Sequence, residues 1–151
     1  MASYLLAGGR CAVDVVFVAA GVSWWRARLD VRDVRFTGGP QGFLRATVSS
    51  RAQFASVPMT RRRFMSSISS SDSLEFSMPN LPELATQPVL ADGVVTAGDR
   101  SWLVRLGVRV VADDEDRIVL EASGSVVRDE AAPLVAPLVG FDAAAELIRC
   151  D

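Results

Sequence analysis

The 151-residue sequence predicts an all-β fold: a closed antiparallel β-barrel of about eight strands, one domain over 1–151, with at most one or two short helices. Three observations carry that expectation. Apolar residues recur with a period of two over most of the chain, the signature of half-buried strands. Breaks rich in Gly, Pro and Asp cut the chain into short runs. Half of the residues are hydrophobic, enough to bury a core without disulfides or metal.

In "RCAVDVVFV" one parity holds Cys11, Val13, Val15 and Phe17, and the other Ala12, Asp14, Val16 and Val18. "AAG" turns the chain into "VSWWRARLDVRDVRF", positions 22–36. There Trp25, Ala27, Leu29 and Val31 share one face, and Trp24, Arg26, Arg28, Asp30 and Arg32 the other. The apolar set then shifts to Val34 and Phe36, which predicts a β-bulge near Arg32 and Asp33. "TGGPQG" is a loop, and "FLRATVSS" alternates again with Leu44, Ala46 and Val48 on one side.

From Ala52 to Ser73 the period fades, leaving room for a short helix at 61–68 and a serine-rich loop. "LEFSM" is a short strand with Phe76, and "PNLPELATQP" is a proline-punctuated connection. "PVLADGVVTAGD" and "RSWLVRLGVRVV" are strands, the latter with Trp102, Val104, Leu106, Val108 and Val110 on one face. Across the acidic turn "ADDEDR", "IVLEASGSVV" returns with Ile118, Leu120, Ala122, Gly124 and Val126 in common. At the end of the chain, propensity favours a short helix capped by Asp142 and running to Ile148. The alternative is a closing strand over 146–150. Seven or eight strands in all suit a barrel or a sandwich; few edge-protecting charges on the inner parity favour closure.

Composition removes whole classes of chemistry. All 16 basic residues are Arg, with no Lys and no His, a bias expected of a GC-rich genome. Without His there is no usual general base, no Ser-His-Asp arrangement and no common zinc or iron ligand; without Lys there is no Schiff base. No metal and no cofactor are expected, and "DDED" at 113–116 lacks the glycine pivot and distal glutamate of a calcium loop. The net charge of −2, with Asp30 inside the Arg26, Arg28 and Arg32 stripe, argues against nucleic acid and for cross-strand ion pairs, Asp14 being a partner on the neighbouring strand. No apolar run approaches a membrane span. Asp14 interrupts the N-terminal apolar run and Arg10 spoils a lipoprotein cleavage site, so a cytoplasmic protein without stable membrane insertion is expected.

The ends of the chain resemble the YceI-like family. "SYLLAGGRCAVDVVF" places Tyr4, Leu6, Cys11, Val13 and Val15 on that family's opening strand. "LVRLGVRVV" is similar to its later Leu-x-x-x-Gly-Val strand, and "LEASGSVVRD" to its penultimate one, with Arg128 and Asp129 adjacent. The resemblance covers about two thirds of the chain. It departs at 61–73, where the family's helical insertion and its histidine and proline landmarks are missing. It implies an extended lipocalin-like barrel whose cavity accepts a long apolar chain such as an isoprenoid. It also implies that "AAELIRCD" closes the barrel, bringing Cys11 toward Cys150, although cytoplasmic thiols stay reduced.

The leading functional reading is therefore a barrel that binds a hydrophobic small molecule, isoprenoid- or polyketide-like, with Val13, Val15, Phe17, Trp25, Leu29, Leu44, Phe76, Trp102 and Leu106 as candidate ligand contacts. The second is a cyclase of natural-product biosynthesis that moulds a flexible apolar substrate, assisted by a hydrogen bond from Tyr4, Asp14 or Glu75. The third is a filled barrel acting as a homodimer through the Trp24 face.

Overall fold

The computed structural model describes residues 2–19, 22–39, 41–49, 73–127 and 138–150, with backbone alone at 7–10, 17–19, 22–27 and 138. Eight strands follow one another: β1 (Ser3–Ala19), β2 (Val22–Thr37), β3 (Gly42–Ser49), β4 (Ser73–Leu81), β5 (Val89–Ala97), β6 (Arg100–Asp113), β7 (Arg117–Val126) and β8 (Leu138–Arg149). Each pairs antiparallel with the next, and β8 pairs with β1, so the sheet closes into an up-and-down barrel. The described residues contain no helix, and so none long and apolar enough to cross a membrane. The helix expected at 61–68 and the basic "TRRRF" lie outside the described residues.

The C-terminal segment is a strand, which corrects the helix that propensity favours from Asp142. Its backbone is satisfied on both sides, by β1 (Val13 opposite Ala143) and by β7 (Ala122 opposite Ala143). A helix there would leave two strand edges bare at the seam of the barrel, a larger loss than the modest strand penalty of alanine. Phe141, Ala143, Ala145 and Leu147 thereby share the inner parity, and all four belong to or pack against the core.

The bulge expected in β2 is present: the register with β3 slips between Val31 and Asp33, carrying the inner face from Leu29 and Val31 to Val34 and Phe36. A second irregularity lies in β1 between Leu6 and Cys11, which moves the inner face from even to odd numbers. β4 runs on through Pro79 to Leu81, further than "LEFSM" indicates. Its register with β3 shifts between Met78 and Leu81, a place where proline's missing N–H is tolerated. β4 and β5 meet only from Glu75 to Ser77, the shortest ladder of the barrel.

The core is the inside of the barrel. Val15, Val48, Val95, Val108, Leu74 and Leu147 have no measurable exposure, and each contributes about 1.5–3 kcal/mol by leaving water. Outward positions carry charge in cross-strand pairs: Arg28 with Asp14 (3.0 Å), Arg45 with Glu75 (3.6 Å), Arg105 with Asp92 (2.7 Å), Arg109 with Glu121 (2.6 Å) and Arg117 with Glu146 (3.1 Å). The exposed pairs among them add little stability, but they reward the correct register. A lipid-facing barrel carries an apolar outer band in their place.

Two glycines let the wall curl. A Cβ on Gly93 would lie 2.7 Å from the Ser77 carbonyl oxygen, and one on Gly124 would meet the Arg105 carbonyl and lie 2.8 Å from the Leu106 Cα. A Cβ on Gly107, by contrast, would make ordinary contact with Pro88 at 3.5 Å. Gly124→Ala is therefore expected to lower unfolding free energy by about 1–3 kcal/mol, and Gly107→Ala to change it by less than about 0.5 kcal/mol, as read by urea denaturation.

Candidate functional site

The lumen inherits its chemistry from parity. The described residues that form or pack against the core are all apolar apart from the hydroxyl of Tyr4, and the thiol of Cys11 lines one void beside them. Among the described residues, two adjoining apolar voids of about 60 Å³ each lie between the inward side chains. One is lined by Phe76, Met78, Leu106 and Phe141, the other by Cys11, Val31, Val34, Val108, Leu120 and Ala145; Val13, Leu44, Ala46, Ala122 and Ala143 wall both.

The shared wall explains why the voids exist. Ala122 and Ala143 are register partners on β7 and β8, and Ala46 lies on β3. Three methyl groups stand at mid-barrel where larger side chains would meet, so the lumen stays open along a slot. Phe76 and Phe141 cap one end of it edge to face, their centroids 5.0 Å apart at 88°, a geometry that adds about 0.5–1.5 kcal/mol beyond burial. Tyr4 and Phe36, paired across β1 and β2 with centroids 5.7 Å apart, fill the end where the chain termini meet. That end is fastened by backbone bonds from Gly38 N–H to the Ala2 carbonyl (3.1 Å) and from Cys150 N–H to the Ser3 carbonyl (2.9 Å).

Of the residues expected to contact a ligand, Val13, Leu44, Phe76 and Leu106 line the voids. Val15 and Leu29 are inward and buried but lie outside the void walls, and Trp102 is half-buried against the core. The side chains of Phe17 and Trp25 lie outside those described, as does that of Trp24. Among the void-lining residues outside that candidate set are Ala46, Met78, Ala122, Phe141, Ala143 and Ala145. All occupy the parity of their void-lining neighbours, and small size rather than wrong parity hid the alanines.

The three candidate catalytic groups do not converge. Tyr4 faces inward, buried against Phe36. Asp14 is buried on the outer wall, held by Arg28, and Glu75 faces outward beside Arg45. This corrects their assignment to the cavity: both stand one residue away from the inner parity, so their carboxylates point through the opposite face of the sheet.

The two cysteines are free and well separated. Cys11 is opposite Ala145 and donates weakly to the Glu146 carbonyl at 3.7 Å; Cys150 donates to the Ser3 carbonyl at 3.3 Å. Five residues of β8 separate the two levels, about 16 Å of strand, far beyond disulfide reach. Burial pushes the Cys11 thiol pKa up; a backbone hydrogen bond from Glu146 opposes that shift and the Glu146 charge adds to it.

A larger hollow, about 370 Å³, is open to solvent on the outer wall. Its floor is Ala12, Gly107, Ser123 and Ala144, and its sides are the Arg28–Asp14 and Arg109–Glu121 pairs with Asp142. Its arginines are bound up in cross-strand pairing, and it shares with the voids only the small wall positions Ala122, Ala143 and Ala144.

No protein-family model matches the chain, and no curated protein matches it in sequence. Among solved structures, the crystal structure of Burkholderia cenocepacia BcnA aligns with a TM-score of 0.58 at 11% identity, over 95% of this chain and 98% of that one. A polyisoprenoid binding domain from Saccharophagus degradans, implicated in plant cell wall breakdown, aligns with a TM-score of 0.51 at 9% identity, over 99% of this chain and 100% of that one. At such identities the likeness speaks to fold.

The thiols report on lumen access. At pH 7.5 a maleimide is expected to modify exposed Cys150 at least about tenfold faster than Cys11, whose thiolate is scarce and sheltered. Peptide mass mapping over time checks the order.

Proposed function

The chain has the YceI-like barrel fold, and we propose that it binds a slender apolar chain in the alanine-walled slot of its lumen. The observation that carries this reading is the pair of adjoining voids that share Val13, Leu44, Ala46, Ala122 and Ala143 and present almost no polar surface. A dry apolar hollow gains by admitting hydrocarbon, about 0.8 kcal/mol for each methylene removed from water. The fold likeness to the polyisoprenoid binding domain from Saccharophagus degradans supports a ligand of that class.

Size limits the guest. Each void, at about 60 Å³, is smaller than the roughly 150 Å³ apolar cavity that admits one benzene molecule. A single-file alkyl or isoprenoid segment suits the slot, and a fused ring system does not. A longer chain would require Met78, the most adaptable of the lining residues, and the Phe76–Phe141 pair to repack. With no ionisable group beyond Tyr4 and Cys11 among the described residues of the core and the void walls, the binding reading is favoured over the cyclase.

Native mass spectrometry of freshly purified protein, followed by organic extraction, is expected to reveal a copurifying apolar molecule. Ala122→Leu or Ala143→Leu should fill the shared wall and weaken binding of a linear polyene fatty acid by at least about tenfold. An empty protein whose fatty-acid affinity is unchanged in both variants would rule the lumen out as the site.

A further inference from the structure

The outer face of β5 and β6 carries the two most exposed large hydrophobic residues among those described, Leu90 at 72% and Leu103 at 64%. The register between these strands places Leu90 opposite Gly107, Asp92 opposite Arg105 and Val94 opposite Leu103. Each pair is complementary: a protruding side chain beside a bare backbone, an acid beside a base, an apolar group beside another. Packing does not demand the glycine, since a Cβ on Gly107 would meet Pro88 only at ordinary contact distance. The bare position instead forms part of the outer hollow. Val127, also exposed, extends the apolar row through its N–H bond to the Leu103 carbonyl at 2.8 Å.

We propose that this face is the interface of a two-fold symmetric homodimer whose axis runs parallel to β5 and β6, midway between them. Such an axis exchanges the two strands. Each β5 residue then meets, on the second copy, the β6 residue that is its own register partner. Leu90 enters the socket over the second copy's Gly107, and Leu103 covers Val94. The Asp92–Arg105 pair, 2.7 Å apart within one copy, joins its symmetry mate in a square of alternating charge. Self-complementarity of this kind is what an isologous interface requires. It covers the exposed leucines and leaves none of these four charges without an opposite neighbour. Two convex barrel walls touch over a limited area, which makes the association weak and dependent on concentration. The inference is independent of what the lumen holds.

Sedimentation velocity of the full chain, over a series from micromolar to about millimolar, tests it, with far-UV circular dichroism confirming that each variant retains its sheet. A monomer–dimer equilibrium is expected. Asp92→Arg or Arg105→Asp sets like charges against each other across the axis and should weaken the dimer by at least about tenfold, while the double exchange restores it. Gly107→Leu fills the socket and should weaken it by a similar factor, and decides the matter alone if a charge variant fails to fold. A monomer at every concentration, which leaves this face to some other partner, would overturn the proposal. So would a dimer indifferent to Asp92→Arg and Gly107→Leu, or a double exchange no better than either single change.

Discussion

The ladder between β1 and β8 is the constraint on which the remaining structure rests. An eight-stranded sheet of these apolar strands, left open, would present two long edges of unpaired backbone and an inner face wet along its seam. Pairing Cys11–Val18 against Leu138–Ala145 removes both edges at once. Closure also fixes the meaning of parity around the whole circumference. Once β8 is seated between β1 and β7, Phe141, Ala143 and Leu147 must face the same interior as Val13, Leu120 and Leu106. A one-residue slip would turn each of those strands inside out.

The size of the lumen follows from the same arrangement. Large aliphatic and aromatic side chains seal the end near Tyr4 and Phe36, while alanines from β3, β7 and β8 meet at mid-barrel and keep the walls apart. Glycines at 93 and 124 let neighbouring strands approach closely enough for the sheet to coil, a tightness that would exclude any side chain there. Ion pairs occupy the outer parity of several strands, including the Arg28–Asp14 pair that the alternation of charges on facing strands anticipates.

Strand order, the bulge in β2 and the inner faces of β6 and β7 were legible because non-polar residues recur there at every second position. Other features resisted for identifiable reasons. β8 reads as helix from its run Ala143–Ala145 and its cap at Asp142, and only the two neighbouring strands, remote in sequence, decide against it. The parity of β1 changes between Leu6 and Cys11, so its first half does not align with "AVDVVFV" by simple counting. The alanine wall escaped because candidate contacts were chosen by bulk, whereas a cavity is made by small residues among large ones. Asp14 and Glu75 were considered for chemistry although each sits beside inner residues, at Val13 and Val15 and at Leu74 and Phe76; alternation alone directs them outward.

The most direct examination of the closed apolar lumen is a nuclear Overhauser spectrum of the protein in solution. The structure requires methyl contacts joining Val13, Ala122 and Ala143, with cross-strand backbone contacts from 11–18 to 138–145. Sequential amide contacts of a helix over 142–148, with those three methyls showing no mutual proximity, would contradict it.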